Sequence, residues 1–465
     1  MKIDARQIIG NRNSVELFSR RDMLGRLGAG MGTLGLASVL DNAAVGAPAP
    51  HFAPKAKRII QLFMPGGPSH VDTFDYKPDI AKYEGQRPEQ VDLRTLRKTH
   101  GLFKPLWDFK QYGKSGKWVS DLFPYTGKLA DDICFLHGMH TDIPEHAGGI
   151  LMMNSGHLQP IRPSMGAWMM YGLGTENHNL PGFIVLAPGA GPRGTKGNWG
   201  TSFLPGSFAG THVDMNSVNP ATTIHDLTNQ RLGSVLQREQ VDLIKLLNQQ
   251  HLQRREQDAD LEASIASMEL AFRMQSAVPE AFDIGQESKG THELYGDQKF
   301  GKSCLLARRL AERGVRMIMV SGGNDIHWDH HDRIALHERT CLETDQGIAA
   351  LLMDLKQRGM LDDTLVMWGG EFGRSPTADG TVGRDHNHFG FTVWLAGGGV
   401  KPGYSHGATC NFGMRAVENR MHVHDLHATI MHLMGLDHKK LTYRYSGRDY
   451  RLTDVHGKVA YDIIA

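Results

Sequence analysis

Thr364-Leu365-Val366-Met367-Trp368-Gly369-Gly370-Glu371-Phe372-Gly373-Arg374 decides how this chain is read. Its apolar core, 365–368, is too short for a helix and stops at two glycines, the pattern of a buried strand. It is apolar without alternation, so both faces are covered, as in a parallel sheet packed between helices. The same design recurs at 58–64, 133–136, 183–186, 315–320 and 391–396, each run ending in glycine or a polar loop. Helical periodicity appears between them at 343–359 and again at 424–434. The alternation predicts an α/β fold, a three-layer sandwich with a mostly parallel central sheet, carried by residues 48–465 as one domain. Residues 236–278 differ, being long and charged, with Leu261, Ile265, Met268 and Phe272 in helical steps. They predict a two-helix insertion, at about 234–278, lying against the core.

In such folds ligands collect beyond the carboxyl ends of the strands, so the loops there carry the chemistry. After 58–64 comes Pro65-Gly66-Gly67-Pro68-Ser69-His70-Val71-Asp72-Thr73-Phe74-Asp75, where glycines let backbone approach a ligand and His70 and Asp72 offer polar groups. After 315–320 comes Gly322-Gly323-Asn324-Asp325-Ile326-His327-Trp328-Asp329-His330-His331-Asp332. Solubility calls for no such density of imidazoles, and His327, Asp329 and His331 are metal-ligand types. In the opening stretch Glu371 is an acid at a strand end, followed by Arg374. That suits a ligand beside an oxyanion-binding guanidinium or, more plainly, an internal ion pair. Gly383-Arg384-Asp385-His386-Asn387-His388 sets two imidazoles two residues apart, which in an extended segment face one side. His422, His424, His427 and His432 fall among Leu426, Ile430 and Leu433 and are read as structural, with His424 or Asp425 at a helix start.

Lys and Arg total 51 against 50 Asp and Glu, so no broad positive field exists to attract a nucleic-acid backbone. The 25 histidines are the unusual feature, since a neutral imidazole both ligates metals and titrates near neutrality. Cys134, Cys304, Cys341 and Cys410 form no CxxC pair, which argues against a zinc knuckle or a dense disulfide framework. Ser19-Arg20-Arg21-Asp22-Met23-Leu24, an apolar Gly/Ala-rich run over 27–40 and small residues from Ala44 to Pro50 have the order of a twin-arginine export signal, set at 1–47. The other readings are an amphipathic first helix or a membrane anchor, for which the run is short. The expectation is an exported protein, periplasmic or extracellular, with no stable membrane span after signal removal.

These motifs together resemble the exported bacterial family catalogued as domain of unknown function 1501, whose kin are sulfatases and alkaline phosphatases. The resemblance is carried by 66–75, Arg162-Pro163-Ser164-Met165-Gly166-Ala167-Trp168, the Trp328-Asp329 cluster, 370–376 and 383–386, and covers essentially the whole mature chain. It implies an alkaline-phosphatase-like core with one or two divalent cations. Glu371 stands at the superfamily's metal-binding acid, Phe372 at a lost histidine, and His386 at the last histidine ligand, with His388 nearby as a replacement for the lost ring. Asp329 and His331 match the upstream acid and histidine, with His327 or Asp325 as substitutes and His70 and Asp72 as further candidates. Arg374 and Arg384 are expected to grip ester oxygens in two-pronged fashion. Mixed imidazole and carboxylate ligands suit zinc or manganese ahead of calcium.

No Cys-x-Pro-x-Arg is present, so formylglycine chemistry is not expected. His146 falls near the nucleophile's place, as covalent nucleophile, general acid or another ligand. The expected function is metal-dependent hydrolysis of a sulfate or phosphate ester of a small molecule or glycan. Its alternatives are a non-catalytic exported protein stabilised by a degenerate metal site, and an amidase or other hydrolase on the same core.

Overall fold

A computed structural model describes residues 49–216, 233–252 and 259–465. The export signal read at 1–47 lies outside them. In chain order, the strands of the central sheet and of a small sheet beside it are β1 (Arg58–Phe63), β2 (Thr99–Leu102), β3 (Ile133–His140), β4 (Phe183–Ala187), β5 (Thr211–Asp214), β6 (Met317–Ser321), β7 (Thr364–Gly369), β8 (Gly373–Asp379), β9 (Gly383–Asn387), β10 (Phe391–Ala396), β11 (Ser405–His406) and β12 (Met421–His422). The main helices are α1 (His146–Ser155), α2 (Met165–Leu173), α3 (Ser234–Leu252), α4 (Ala259–Phe282), α5 (Lys299–Glu312), α6 (His337–Gln357) and α7 (Val423–Leu433).

The central sheet runs β11-β3-β10-β7-β1-β6-β4-β5, with β12 also pairing with β3. β1 sits near its middle, parallel to β6 and β7. Alternate side chains feed two cores. Ile60 and Leu62 join residues of α5 and α6 on one face, while Ile59 and Phe63 join residues of α1, α2 and α7 on the other. That makes three layers, and it explains why the strands read as unbroken apolar runs.

β10 is the exception, antiparallel to both β3 and β7. No crossover helix lies between β7 and β10; the chain instead makes the β8–β9 hairpin and re-enters the sheet from the end it left. That hairpin pairs with β2 and carries Arg384 and His386. Two helix boundaries also differ from the sequence reading. α6 starts at His337 rather than 343, because its first turn, His337-Glu338-Arg339, shows no apolar period. α7 starts one residue before His424, with His422 as its cap.

In the 236–278 region stand two helices, α3 and α4. Met268, Leu270, Met274 and Val278 of α4 are buried in or beside the core. Phe272 turns instead toward α3, its ring 5.4 Å from the Arg238 guanidinium. The side chains of Leu261 and Ile265 lie outside the described ones. Among the described residues no helix is long and apolar enough to cross a membrane.

Candidate metal centre

The parallel strands end on one side of the sheet, and their loops converge there. The loop after β6 supplies Asp329 and His331. It is pinned where Trp328 N–H donates to Pro65 O (2.8 Å) and its indole N–H to Gly322 O (3.2 Å). Gly66 makes that approach feasible: its φ is +112°, and a Cβ there would sit 2.5 Å from the Asp329 nitrogen. Helix α1 begins just past β3 because the Glu145 carboxylate accepts from Ala147 N and Gly148 N, both at 2.9 Å. Its first residue, His146, is thereby set facing the loop. β9 brings His386, with Gly383 at its start lying against the His331 carbonyl.

One donor atom from each of His146, Asp329, His331 and His386 lies within 4.8 Å of all the others. His146 Nε2 is 3.3 Å from Asp329 Oδ2; His331 Nε2 and His386 Nε2 are 3.2 and 3.3 Å from Asp329 Oδ1. The far nitrogen of each ring is already engaged. His146 Nδ1 is 2.6 Å from Glu371 Oε1, His331 Nδ1 is 2.7 Å from Asp379 Oδ2, and His386 Nδ1 meets the Pro144 carbonyl. Carboxylates and carbonyls only accept, so the protons belong on Nδ1 and the lone pairs on Nε2, turned inward. The Nε2 atoms of His331 and His386, each carrying such a lone pair, stand 2.8 Å apart. They repel until a cation or a proton comes between them. His146 Nε2 is buried and faces Asp329 Oδ2 across 3.3 Å.

Charge follows the same plan. Burial pushes His386 down to about 3, against the hydrogen bond to Asp329, so the ring is neutral. Burial and the nearby Arg374 charge lower His331 as well, with Asp329 and Asp379 acting in the opposite sense. Burial opposes a charge on His146, but hydrogen bonds to Asp329 and Glu371 outweigh it and raise the pKa. Asp329 is held well below the usual carboxylate range; burial works against this, and His146, His386 and Arg374 prevail. Asp329 ionised with His331 and His386 neutral is the state a divalent cation requires; His146, favoured in its charged form without one, would release a proton when a cation binds.

Residues 56–464 match DUF1501, described as a protein of unknown function. The chain belongs to that family. No curated protein matches its sequence. Solved structures align with it only distantly. Ps i-CgsB, crystallised with k-i-k-neocarrahexaose, gives 10% identity over 82% of this chain and 72% of its own, with a TM-score of 0.38. The alkaline phosphatase from the Antarctic bacterium TAB5 gives 9% identity over 82% of this chain and 99% of its own, at 0.32. The PsFucS1 sulfatase from Pseudoalteromonas sp. gives 12% over 89% of this chain and 70% of its own, at 0.33. Likenesses this remote leave the chemistry to the side chains.

In this DUF1501 chain the expected site residues fall into two sets. Asp329, His331, His386 and His146 come together. Glu371 stands one layer behind, accepting from Gly66 N (3.0 Å) while it holds His146. Outside the cluster, His388 follows the end of β9, where Phe389 N–H bonds back to Asn387 Oδ1 (3.1 Å); the alternation that would have aligned it with His386 has stopped. His327 is carried onto α6, its Nε2 3.0 Å from Glu343 Oε2, because the chain turns at Asp325 with φ +52°. His70 Nε2 is 2.7 Å from the Gly413 carbonyl.

Asp72 pairs with Arg384 at 2.6 and 3.1 Å, both side chains fully buried. Arg384 also donates to Ser375 O (3.1 Å) and Phe103 O (2.9 Å). Arg374 donates to Gly67 O (2.9 Å), Gly66 O and Asp329 Oδ1 (2.6 Å). Both guanidiniums therefore strap the loops together, and neither presents a free fork to an ester. Pulling Arg384 from its buried carboxylate would strand a charge at a cost of about 3–5 kcal/mol.

Sequence reasoning missed Asp379, the Pro144 carbonyl and Asp385. Asp385, buried with its Oδ2 bonded to Arg97 N, stands 3.6 Å from His331 Nδ1. With His331 and Asp379 it forms a second group of close donors. Both acids lie on the Nδ1 side of a ring whose Nε2 points the other way, so they orient His331. Asp385 adjoins His386 in the 383–388 motif; nothing in the sequence marked Asp379 or Pro144.

Proposed function

We propose that this chain is an exported, metal-dependent hydrolase of sulfate or phosphate esters, with its cation held by His146, Asp329, His331 and His386. One observation carries the reading: three inward Nε2 atoms, each with its ring proton committed on the far side, converge with a carboxylate. Three imidazoles and one carboxylate suit zinc or manganese better than an all-oxygen calcium shell. A divalent cation there supplies Lewis-acid stabilisation of charge gathering on the ester oxygens.

The chain's own residues do the positioning. Glu371 and Asp379 fix the rings, Arg374 fixes Asp329, and burial of the three imidazoles keeps bulk water to the Asp329 side. His146, at the place expected of a nucleophile, is itself one of the four donors, which favours attack by water over a covalent intermediate. The location beyond the carboxyl ends of parallel strands supports a ligand site. The paired Arg20 and Arg21 ahead of a short apolar run support export of the folded chain.

A second reading, a non-catalytic protein that keeps the ion to stabilise its fold or bind a glycan, draws on the commitment of Arg374 and Arg384 to buried partners. The test is metal analysis of the purified chain, followed by aryl sulfates, phosphate monoesters and diesters offered to wild type and Asp329→Ala. We expect a bound transition metal and turnover of one ester class, both lost in the variant. Metal without turnover on any ester selects the second reading, and a chain that takes up no metal removes both.

A further inference from the structure

We infer that Arg193 is the residue that receives the sulfate or phosphate group, and that Asp325 holds its guanidinium ready until the anion takes the carboxylate's place. This rests on the hydrolase reading above and names the group that recognises the anion at that centre.

Arg193 lies in the loop after β4 and Asp325 in the loop after β6, both on the side of the sheet where the centre forms. Main-chain bonds tie the two loops: Asp325 N–H donates to Gly191 O (2.9 Å) and Arg193 N–H to Asp325 O (3.2 Å). The pair is thus placed by backbone as well as by side chains. Arg193 Nε is 2.8 Å from Asp325 Oδ1, and Nη2 is 2.9 Å from Oδ2. Two oxygens of a sulfate or phosphate fit the same two-pronged geometry.

Exposure separates this arginine from the other two. The Arg193 and Asp325 side chains are 41% and 52% exposed, whereas those of Arg374 and Arg384 are 0%. Arg193 can change partners and leave Asp325 in water; Arg374 and Arg384 cannot do so without leaving a carboxylate unpaired. The pair also belongs to the centre electrostatically. Asp329 and Glu145 act on Arg193, and His146 and Asp329 act on Asp325. With Asp325, Asp329 and Glu145 around it, Arg193 sits among excess negative charge until a cation arrives, so anion binding should depend on metal loading.

The experiment is calorimetric titration of inorganic phosphate, and separately of sulfate, into the zinc- or manganese-loaded full chain and into the metal-free chain. Wild type should bind at least one of the anions only when loaded. Arg193→Ala should weaken that binding at least about tenfold, the loss of a charge-assisted pair of hydrogen bonds. Arg193→Lys should recover only part, because an ammonium lacks the fork. Asp325→Asn, which tolerates the left-handed backbone, should tighten binding by removing the competing carboxylate. Metal affinity, measured without the anion, should change far less than anion affinity in all three variants.

Loaded Arg193→Ala that binds the anions as wild type does overturns the inference and leaves the hydrolase reading standing. So does Asp325→Asn that weakens binding as much as Arg193→Ala, the mark of a purely structural pair. A wild-type chain that takes up no metal overturns the parent reading and this one with it.

Discussion

Imidazoles gather in two regions of this molecule, and only one of them makes a converging centre. In the first, His146, His331 and His386 each have an acceptor behind the ring and turn Nε2 toward Asp329. In the second, around α7, the rings are spent locally. His422 Nδ1 accepts from His424 N (3.2 Å), and the Asp425 carboxylate accepts from His422 N (2.9 Å), a reciprocal helix cap. His427 Nε2 donates to Met153 O (2.8 Å), and the His424 ring lies 5.1 Å from that of His456. His422, His424, Asp425 and His456 line a cavity of about 410 Å³ with Asp142 and Lys458. Among the described residues, however, they do not bring three donors together as the first region does. Density of histidine is therefore no criterion for a metal site. A shared acid, and a partner that fixes the proton on the far nitrogen, are.

That contrast can be broken most directly at its shared acid. Asp329→Ala should lower metal affinity by more than about 100-fold, beyond the range expected of an outer partner. His424→Ala should leave the metal content at the wild-type level. Equal losses in the two variants, read by competition with a chromogenic chelator, would erase the distinction between the regions.

The layer behind the rings should matter next. Glu371→Gln and Asp379→Asn keep size but weaken the hold on Nδ1, and each should cost about 10–100-fold in metal affinity. An unchanged affinity in both would mean that the rings need no support.

The second region should show its role through stability instead. Burial pushes His427 down to about 4 from its ordinary 6.5. Below 6.5 the unfolded chain takes a proton that the folded chain refuses. This contribution to stability is therefore complete above 6.5 and declines as pH falls toward 4. The loss between pH 7 and pH 5.5 is about 1 kcal/mol, and His427→Gln should remove that share of the acid slope in denaturant unfolding. Smallest of all, exposed His456→Ala should shift stability by no more than about 0.5 kcal/mol.

Much of this was open to a sequence reading, for reasons that can be named. The strands at 58–64, 183–186 and 365–368 announced themselves because burial on both faces demands unbroken apolar runs bounded by glycine. Asp329, His331 and His386 were legible because strand-end loops of this architecture meet on one side of the sheet. The hairpin that turns β10 antiparallel was not legible, since 373–387 carries buried polar side chains held by tertiary partners rather than a periodic pattern. Arg374 and Arg384 read as anion-binding forks because a sequence shows the charge and not its partner. Arg193 escaped notice for the converse reason, standing alone among glycines with Asp325 132 residues away.

The sequence by itself determined the layered plan and the loops that carry the polar groups, because hydrophobic period, glycine and chain direction are local properties. Which nitrogen of each imidazole points inward, which acid stands behind it and which arginine stays free were decided only by tertiary structure. Those outcomes depend on hydrogen-bond partners as far apart in the chain as His146 and Glu371, or His386 and Pro144, 225 and 242 residues. Only the folded sheet brings such groups within reach of one another.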